Sequence, residues 1–96
     1  MDPANPDITI SDVVVSTKGR DQGNWFYVIA EDPIYLYLAN GKDRSLDKPK
    51  RKKRKHVQKV LRSETRVAAK LISRNKVLNS ELRRDLAILA RENASE

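Results

Sequence analysis

The 96-residue chain has no cysteine, one histidine, three glycines and few aromatic residues. Without cysteine it cannot form a disulfide, a thiolate zinc site or a thiol nucleophile. The lone His56 has no second imidazole beside which to bind a metal, so we expect it to be structural. No G-x-x-x-x-G-K loop and no nucleophile elbow occurs. We therefore expect a protein that is not an enzyme and that uses no cofactor.

Long apolar runs are also missing. The two longest, WFYVIA at 25–30 and IYLYLA at 34–39, are far short of the ~20 residues that a membrane helix needs. The opening MDPANPD lacks the basic-then-apolar layout of a secretory signal. We therefore expect a cytoplasmic protein with no membrane partner. Its length limits it to one small domain, with little room for a small-molecule pocket.

Positive charge is abundant and unevenly distributed. Twenty Lys and Arg against 13 Asp and Glu give a formal net charge of +7. Residues 1–41 carry two bases and six acids, a net charge of −4, whereas residues 42–62 carry eleven bases and two acids, a net charge of +9. The excess is therefore concentrated in one segment, and it is densest in KPKRKKRK at 48–55.

Short runs of β-branched and aromatic residues predict strands in the first half of the chain. After a flexible leader at 1–9, we predict strands within 8–17, at 25–31 and at 34–39, and short strands around 44–46 and 52–57. Asn40-Gly41 predicts a type I′ hairpin turn. Strands at about ten-residue spacing are typical of a small antiparallel barrel or sandwich, here over residues 10–58.

Alternation within the third predicted strand assigns its side chains to two faces. Ile34, Leu36 and Leu38 are expected on one face, and Tyr35 and Tyr37 on the other. The tyrosines are therefore the aromatic residues best placed to stack on unpaired bases.

Beyond residue 62 the apolar residues recur at helical spacing. The pattern predicts two short helices, at about 65–75 and 80–92, within a helical extension at 63–93. Short helices do not bury an apolar stripe alone, so we expect the second helix to pack on the barrel, on the first helix or on a partner. The fold class is thus mainly β with an α extension.

The helical extension also permits a DNA-binding alternative. It is compatible with a helix-turn-helix in which the second helix presents Arg83, Arg84 and Arg91 to phosphates. Acids on the same helix partly balance these bases, and its leucine stripe requires burial. Packing is therefore the favoured role.

An ordered series of motifs runs from about residue 12 to residue 58. KGRDQG at 18–23 precedes an aromatic and apolar strand, and a turn before Tyr35, Ala39-Asn40-Gly41, Asp47-Lys48-Pro49-Lys50 and His56-Val57 follow. The series resembles the KOW motif, in particular a bacterial group of KOW-domain RNA-binding proteins similar to a large-subunit ribosomal protein of archaea and eukaryotes. The resemblance implies an SH3-like β-barrel that binds structured RNA, most often ribosomal RNA, in ribosome assembly or translation. The chain departs from these relatives at Lys53 and Arg54, where they tend to have Asn and an aliphatic residue.

We predict an RNA-binding surface formed by the 18–23 turn, the basic segment 42–55 and two tyrosines. Lys and Arg side chains neutralise phosphates and release condensed counterions, and exposed aromatic rings stack on bases. The predicted RNA-contacting residues are Lys18, Arg20, Lys42, Arg44, Lys48, Lys50, Arg51, Lys52, Lys53, Arg54, Lys55, Tyr35 and Tyr37.

Other partners remain compatible with the same residues. A protein-binding adaptor would use the basic segment to dock an acidic partner. The run at 48–55 would also serve as a nuclear import signal in a eukaryote. The oligomeric state is left open by the sequence pattern.

Overall fold

A computed structural model describes residues 7–93 as a five-stranded antiparallel sheet with two α-helices. The strands are β1 (Asp12–Ser16), β2 (Trp25–Glu31), β3 (Tyr35–Ala39), β4 (Lys50–Lys53) and β5 (Val57–Arg62). A 3₁₀ helix, Arg54–His56, joins the last two strands, and α1 (Arg66–Ser73) and α2 (Asn79–Asn93) follow. The prediction of a mainly β fold with a helical extension is confirmed.

The strand order in the sheet is β4-β3-β2-β1-β5. The first four strands form a meander, and β5 returns to pair with β1. Irregular pairing between Val13 and Val14, and again between Val28 and Ala30, bends the strands. Strands β4 and β5 are the two edges, so the hydrogen-bonded sheet over residues 7–93 is open.

The sheet carries a hydrophobic core on each face because neighbouring strand residues point to opposite sides. The inner core consists of Ile8, Val14, Phe26, Val28, Leu36, Leu38 and Val57. The outer core joins the sheet to the helices and consists of Val13, Tyr27, Ala39, Val67, Ala68, Leu82, Leu86 and Leu89. The leucine stripe of α2 is therefore buried on the sheet, as the packing interpretation predicts.

A partly buried polar network holds the helices against the sheet. The hydroxyl of Tyr27 donates to a carboxylate oxygen of Asp85, which also accepts from Thr65 Oγ1 at 2.9 Å. Ser63 Oγ lies 2.7 Å from the Tyr27 hydroxyl oxygen. Burial, together with the Asp85 carboxylate, raises the pKa of Tyr27 to about 12. The side chains of β2, α2 and the segment before α1 thus form one hydrogen-bonded unit.

The ends of the helices follow local capping rules. Thr65 precedes α1, and its side chain accepts a hydrogen bond from the backbone N–H of Ala68. In α2, Glu81 Oε1 accepts from the backbone N–H of Leu78 at 2.9 Å, which is half of a capping box. The Glu81 carboxylate also accepts from Lys70 Nζ at 2.7 Å, which joins the two helices.

The strand predicted around 44–46 and the type I′ turn at Asn40-Gly41 are wrong. Asn40 Oδ1 accepts from the backbone N–H groups of Lys42 and Arg44, and the Arg44 carbonyl accepts from those of Asn40 and Gly41. These bonds close a local loop and use the backbone groups that a strand would pair. A longer loop, 40–49, therefore connects β3 and β4.

The strand predicted at 52–57 is divided. Strand β4 ends at Lys53, the 3₁₀ turn follows, and β5 continues to Arg62. The sheet therefore extends beyond the predicted limit at residue 58. At this break the Arg54 side chain turns into the protein, where it bonds Ile8, Asp32 and Glu31.

Two smaller expectations about burial are also corrected. The leader predicted at 1–9 is too long, because Ile8 is fully buried in the inner core and the Thr9 N–H bonds Asp12 Oδ2; residues 1–6 lie outside the described residues. Ile34, predicted to share a strand face with Leu36 and Leu38, precedes β3 and is 60% exposed, whereas both leucines are buried. Asp32 Oδ1 accepts from the N–H groups of Ile34 and Tyr35, and this turn places Ile34 ahead of the strand.

Candidate nucleic-acid interface

The turn at 18–23 is held by short-range hydrogen bonds. The backbone N–H of Gly23 donates to the Ser16 carbonyl at 2.8 Å, and that of Asn24 donates to the Asp21 carbonyl at 2.9 Å. Gly19 and Gly23 both have positive φ, at 89° and 90°, which side chains disfavour. Lys18 and Arg20 are exposed on this fixed turn.

Lys52 connects the 18–23 turn to the basic segment. Its ammonium group donates to the Lys18 carbonyl at 2.6 Å and to Asp21 Oδ1 at 2.7 Å. The residue is only 7% exposed. Lys52 is therefore corrected from a phosphate contact to a structural residue, because its charge is already paired inside the protein. The same pairing places the two predicted RNA-binding segments side by side.

Asp21 is the acceptor at the centre of this connection. Burial alone would raise its pKa, but hydrogen bonds from Lys52 and Ser16 outweigh burial and hold the pKa below the ordinary value of 3.8. Lys50 Nζ adds a longer ion pair, 3.9 Å from Asp21 Oδ2. The carboxylate is thus ionised at neutral pH and fixes the turn to β4.

Arg54 is likewise corrected from a phosphate contact to a structural residue. Its guanidinium group donates to the carbonyls of Ile8 and Asp32, each at 2.9 Å, and forms a 2.7 Å ion pair with Glu31. Only 5% of the residue is exposed. Five donors in a planar fork allow an arginine to satisfy several such acceptors at once. Arg54 therefore occupies an inward position.

A cleft of about 540 Å³ lies between the turn and the start of β4. We call it the turn–strand cleft, and it is lined by Arg20, Asp21, Asn24, Phe26, Asp43, Arg44 and Lys50. Three of these residues are bases from the predicted set, contributed by the turn, the 40–49 loop and β4. Phe26 is an inner-core residue, so the cleft reaches the edge of that core. The sequence analysis did not predict Asn24 and Asp43 as part of this site. Only their proximity to the basic motifs could have indicated them.

A second surface lies on the outer side of β3 and β4. Tyr35 pairs with Lys53 and Tyr37 with Arg51 in the antiparallel register. The Arg51 guanidinium carbon is 4.4 Å from the centre of the Tyr35 ring, within cation–π distance. Both tyrosines are partly exposed, while Arg51 and Lys53 are exposed. We call these four residues the tyrosine face.

The remaining predicted bases are distributed around these two surfaces. Lys42 and Lys48 are exposed on the 40–49 loop, and Lys55 is exposed on the 3₁₀ turn. The structure therefore does not gather all eleven predicted bases on one plane. Nine of these side chains are exposed or partly exposed, and the other two, Lys52 and Arg54, are buried in the fold.

Five bases of the segment 42–62, Lys50 among them, pair with acids from the first three strands and their turns. Besides Lys52 and Arg54, Lys59 Nζ lies 3.3 Å and Arg62 Nε 3.6 Å from carboxylate oxygens of the fully buried Asp12.

The electrostatic potential near the 18–23 turn nevertheless stays positive. Burial, followed by the charges of Lys18 and Lys55, lowers the pKa of His56. A positive surface of this kind favours anionic ligands.

Comparison with known proteins adds no identification. No protein-family model matches the chain, and no curated protein matches it. Within residues 7–93, neither α-helix is apolar and long enough to cross a lipid bilayer.

Proposed function

We propose that the protein is a small, non-catalytic RNA-binding module that binds ribosomal RNA in ribosome assembly or translation in the cytoplasm. The observation that carries this proposal is the Lys52 connection, which puts the 18–23 turn against the basic strand β4. Two segments that the sequence separates thereby contribute bases to one cleft. Phosphates are the anions that such a concentration of Lys and Arg recognises without reading sequence.

The proposed fold is an SH3-like barrel of the KOW type. A four-strand meander, a 3₁₀ turn and a fifth strand returning to β1 support this assignment, as does the inner core on one face of the sheet. The inward Arg54, which follows β4, bonds Ile8 ahead of β1 and Asp32 in the turn between β2 and β3. In this proposal the 18–23 turn and the turn–strand cleft face the RNA backbone.

Each surface has a distinct role in the proposal. Arg20, Arg44 and Lys50 contact phosphates at the turn–strand cleft. The tyrosine face offers stacking to unpaired bases, which RNA loops and bulges supply. Because Arg51 already covers the Tyr35 ring, stacking there requires Arg51 to move or to stack with the base.

Salt dependence of binding tests the electrostatic mechanism. If five or six phosphates are contacted, the log–log slope of affinity against salt is about −4 to −5. Affinity for a labelled ribosomal RNA fragment should then fall about 250- to 1,000-fold between about 50 and about 200 mM salt. Fluorescence anisotropy provides the measurement, and a slope near zero contradicts the mechanism.

Matched charge removals locate the interface. The double variant Arg20→Gln/Arg44→Gln removes two bases from the turn–strand cleft and should make the slope shallower by about 1.4–1.8. The control Lys76→Gln/Arg84→Gln removes two exposed bases outside that cleft and should leave the slope unchanged. Equal effects of the two double variants would place the RNA elsewhere.

Co-sedimentation separates the RNA proposal from the adaptor alternative. Association with ribosomes that is lost after RNase treatment supports RNA binding. Association with an acidic protein in an RNA-free extract, unaffected by RNase, supports the adaptor instead.

A further inference from the structure

A second cleft lies where the start of β2 meets the 40–49 loop and α2. We call it the tryptophan cleft, and it has a volume of about 470 Å³ and is lined by Trp25, Asn40, Lys42, Arg83, Leu86 and Ala87. Ligand pockets in proteins commonly have volumes of about 300–1,000 Å³. The cleft combines a partly exposed indole ring, an apolar wall from α2 and two bases.

The charged residues of the tryptophan cleft are both positive. Lys42 and Arg83 are exposed, and Arg83 Nη1 donates to the Gly41 carbonyl at 3.2 Å. That bond holds the guanidinium group beside the loop while leaving other donors available. An aromatic ring flanked by two cations complements a planar base attached to a phosphate.

Asn40 adds a polar group to the same cleft. Its Oδ1 is occupied by the backbone N–H groups of Lys42 and Arg44, which fixes the orientation of the side chain. The Nδ2 amino group is the donor of this side chain, which lines the cleft with 9% of the residue exposed. Nucleobases carry ring-nitrogen and carbonyl acceptors that fit such a donor.

The tryptophan cleft adjoins the turn–strand cleft. Asn24 and Phe26 line the turn–strand cleft and Trp25 lines the other, so the two clefts open on opposite faces of the sheet at the same end of β2. The 40–49 loop lies between them and contributes Lys42 to one cleft and Arg44 to the other. If RNA lies in the turn–strand cleft as proposed, a single strand that crosses this loop would reach the indole ring.

We infer that the tryptophan cleft binds one unpaired RNA base, stacked on Trp25, with the adjoining phosphate held by Lys42 and Arg83. The inference rests on the proposed RNA binding and adds a base-stacking site outside the predicted contact set. Double-stranded RNA has no unpaired base to insert, so the cleft favours single-stranded or bulged RNA over a continuous duplex.

Trp25 is the only tryptophan in the sequence, so intrinsic fluorescence reports on the cleft directly. The full chain is titrated with a short oligouridylate, a short oligoadenylate and a blunt RNA duplex of equal length. Single strands should quench the emission with the same midpoint as that seen by anisotropy. The duplex should bind through the basic surfaces and leave the emission unchanged.

Variants separate stacking from folding. Trp25→Leu should weaken single-strand binding about 5- to 100-fold, whereas Trp25→Phe keeps a ring and should weaken it much less. Because Trp25 packs against the outer core, circular dichroism must show that both variants remain folded. Arg83→Gln tests the cleft without touching that core, and the adjacent exposed Arg84→Gln is its matched control.

The outcomes distinguish this inference from the proposed function. The inference about the tryptophan cleft is overturned if RNA binding depends on salt while Trp25 emission stays unchanged, and if the Arg83→Gln and Arg84→Gln variants bind RNA equally well. The general RNA proposal then still stands. Quenching by the duplex as strong as by single strands also overturns the inference about the tryptophan cleft. No RNA binding at any salt concentration overturns both.

Discussion

At the scale of single residues, neighbouring lysines of β4 differ in role because strand side chains alternate. Lys52 points inward to Lys18 and Asp21 and is 7% exposed, whereas Lys53 points outward beside Tyr35. A buried ammonium group with two fixed acceptors stabilises the fold. An exposed one remains free to meet a phosphate.

Replacing each lysine with methionine should separate the two roles. Lys52→Met leaves Asp21 without its main partner and should lower the free energy of unfolding by about 2–4 kcal/mol. Lys53→Met should change that free energy by less than about 0.5 kcal/mol, while weakening RNA binding about 3- to 10-fold. Urea denaturation followed by Trp25 fluorescence, together with anisotropy, provides both measurements.

Equal losses of stability in the two variants would contradict the assignment of Lys52. A double variant, Lys52→Met/Asp21→Asn, provides a further control. It removes the unpaired charge and should recover part of the stability lost in Lys52→Met.

At the scale of elements, the 40–49 loop depends on close contact with α2. A methyl group added at Gly41 would lie 2.2 Å from the carbonyl oxygen of Asn79, and the Gly41 φ is +76°. Asn79 Oδ1 in turn accepts from the backbone N–H of Leu46 at 2.8 Å. The loop that separates the two clefts is therefore fixed to the helix by its own backbone.

Alanine substitutions at two glycines should show this contact. Gly41→Ala combines a positive φ with a backbone clash and should cost at least about 3 kcal/mol of stability. Gly23→Ala has the same backbone penalty but no atom within 4 Å of the added methyl group, so it should cost only about 1 kcal/mol. Chemical denaturation gives both values, and similar costs would argue against the loop–helix contact.

Sequence periodicity predicted most elements and failed where a side chain redirected the backbone. The strands near 25–31 and 34–39 and both helices follow from alternation and helical spacing. The false strand at 44–46 and the broken strand at 52–57 involve the side chains of Asn40 and Arg54. Asn40 bonds the backbone of its near neighbours Lys42 and Arg44, a local turn that competes with strand pairing. Arg54 bonds Ile8, Asp32 and Glu31, whose positions depend on the folded geometry and are not contained in a local pattern.

At the scale of the whole molecule, the acidic and basic parts of the chain are paired with each other. Asp12, Asp21 and Glu31, from the acidic first block, each form an ion pair with bases of the segment 42–62. The net charge of +9 in that segment therefore overstates the charge it presents to solvent. The pairs instead orient the segment and leave the remaining bases directed outward.

These ion pairs should make stability fall in acid. Burial would raise the pKa values of Asp21 and Glu31, but hydrogen bonds from Lys52, Ser16, Thr9 and Arg54 lower both below 3.8 and 4.5, respectively. As pH falls, the unfolded chain therefore takes up protons before the folded protein does. The contribution of these two carboxylates to the free energy of unfolding should be constant above about pH 5.5 and decrease below about pH 4.5.

Denaturation across a pH series provides the measurement. The variant Asp21→Asn/Glu31→Gln lacks both carboxylates, so its free energy of unfolding should fall less steeply in acid than that of the unchanged protein. If the free energies of unfolding of the two proteins fell equally steeply below about pH 4.5, these ion pairs would not set the pH dependence.

The sequence by itself determined the fold class, most strands and both helices, and the concentration of bases in one segment, because these properties depend on local spacing and composition. Only the tertiary structure decided which bases face inward and which surfaces combine. Lys52 and Arg54 are buried because acceptors from distant strands lie opposite them, and Trp25 meets Arg83 because α2 packs on the sheet. Such pairings depend on strand register and sheet curvature, which arise only when the whole chain folds.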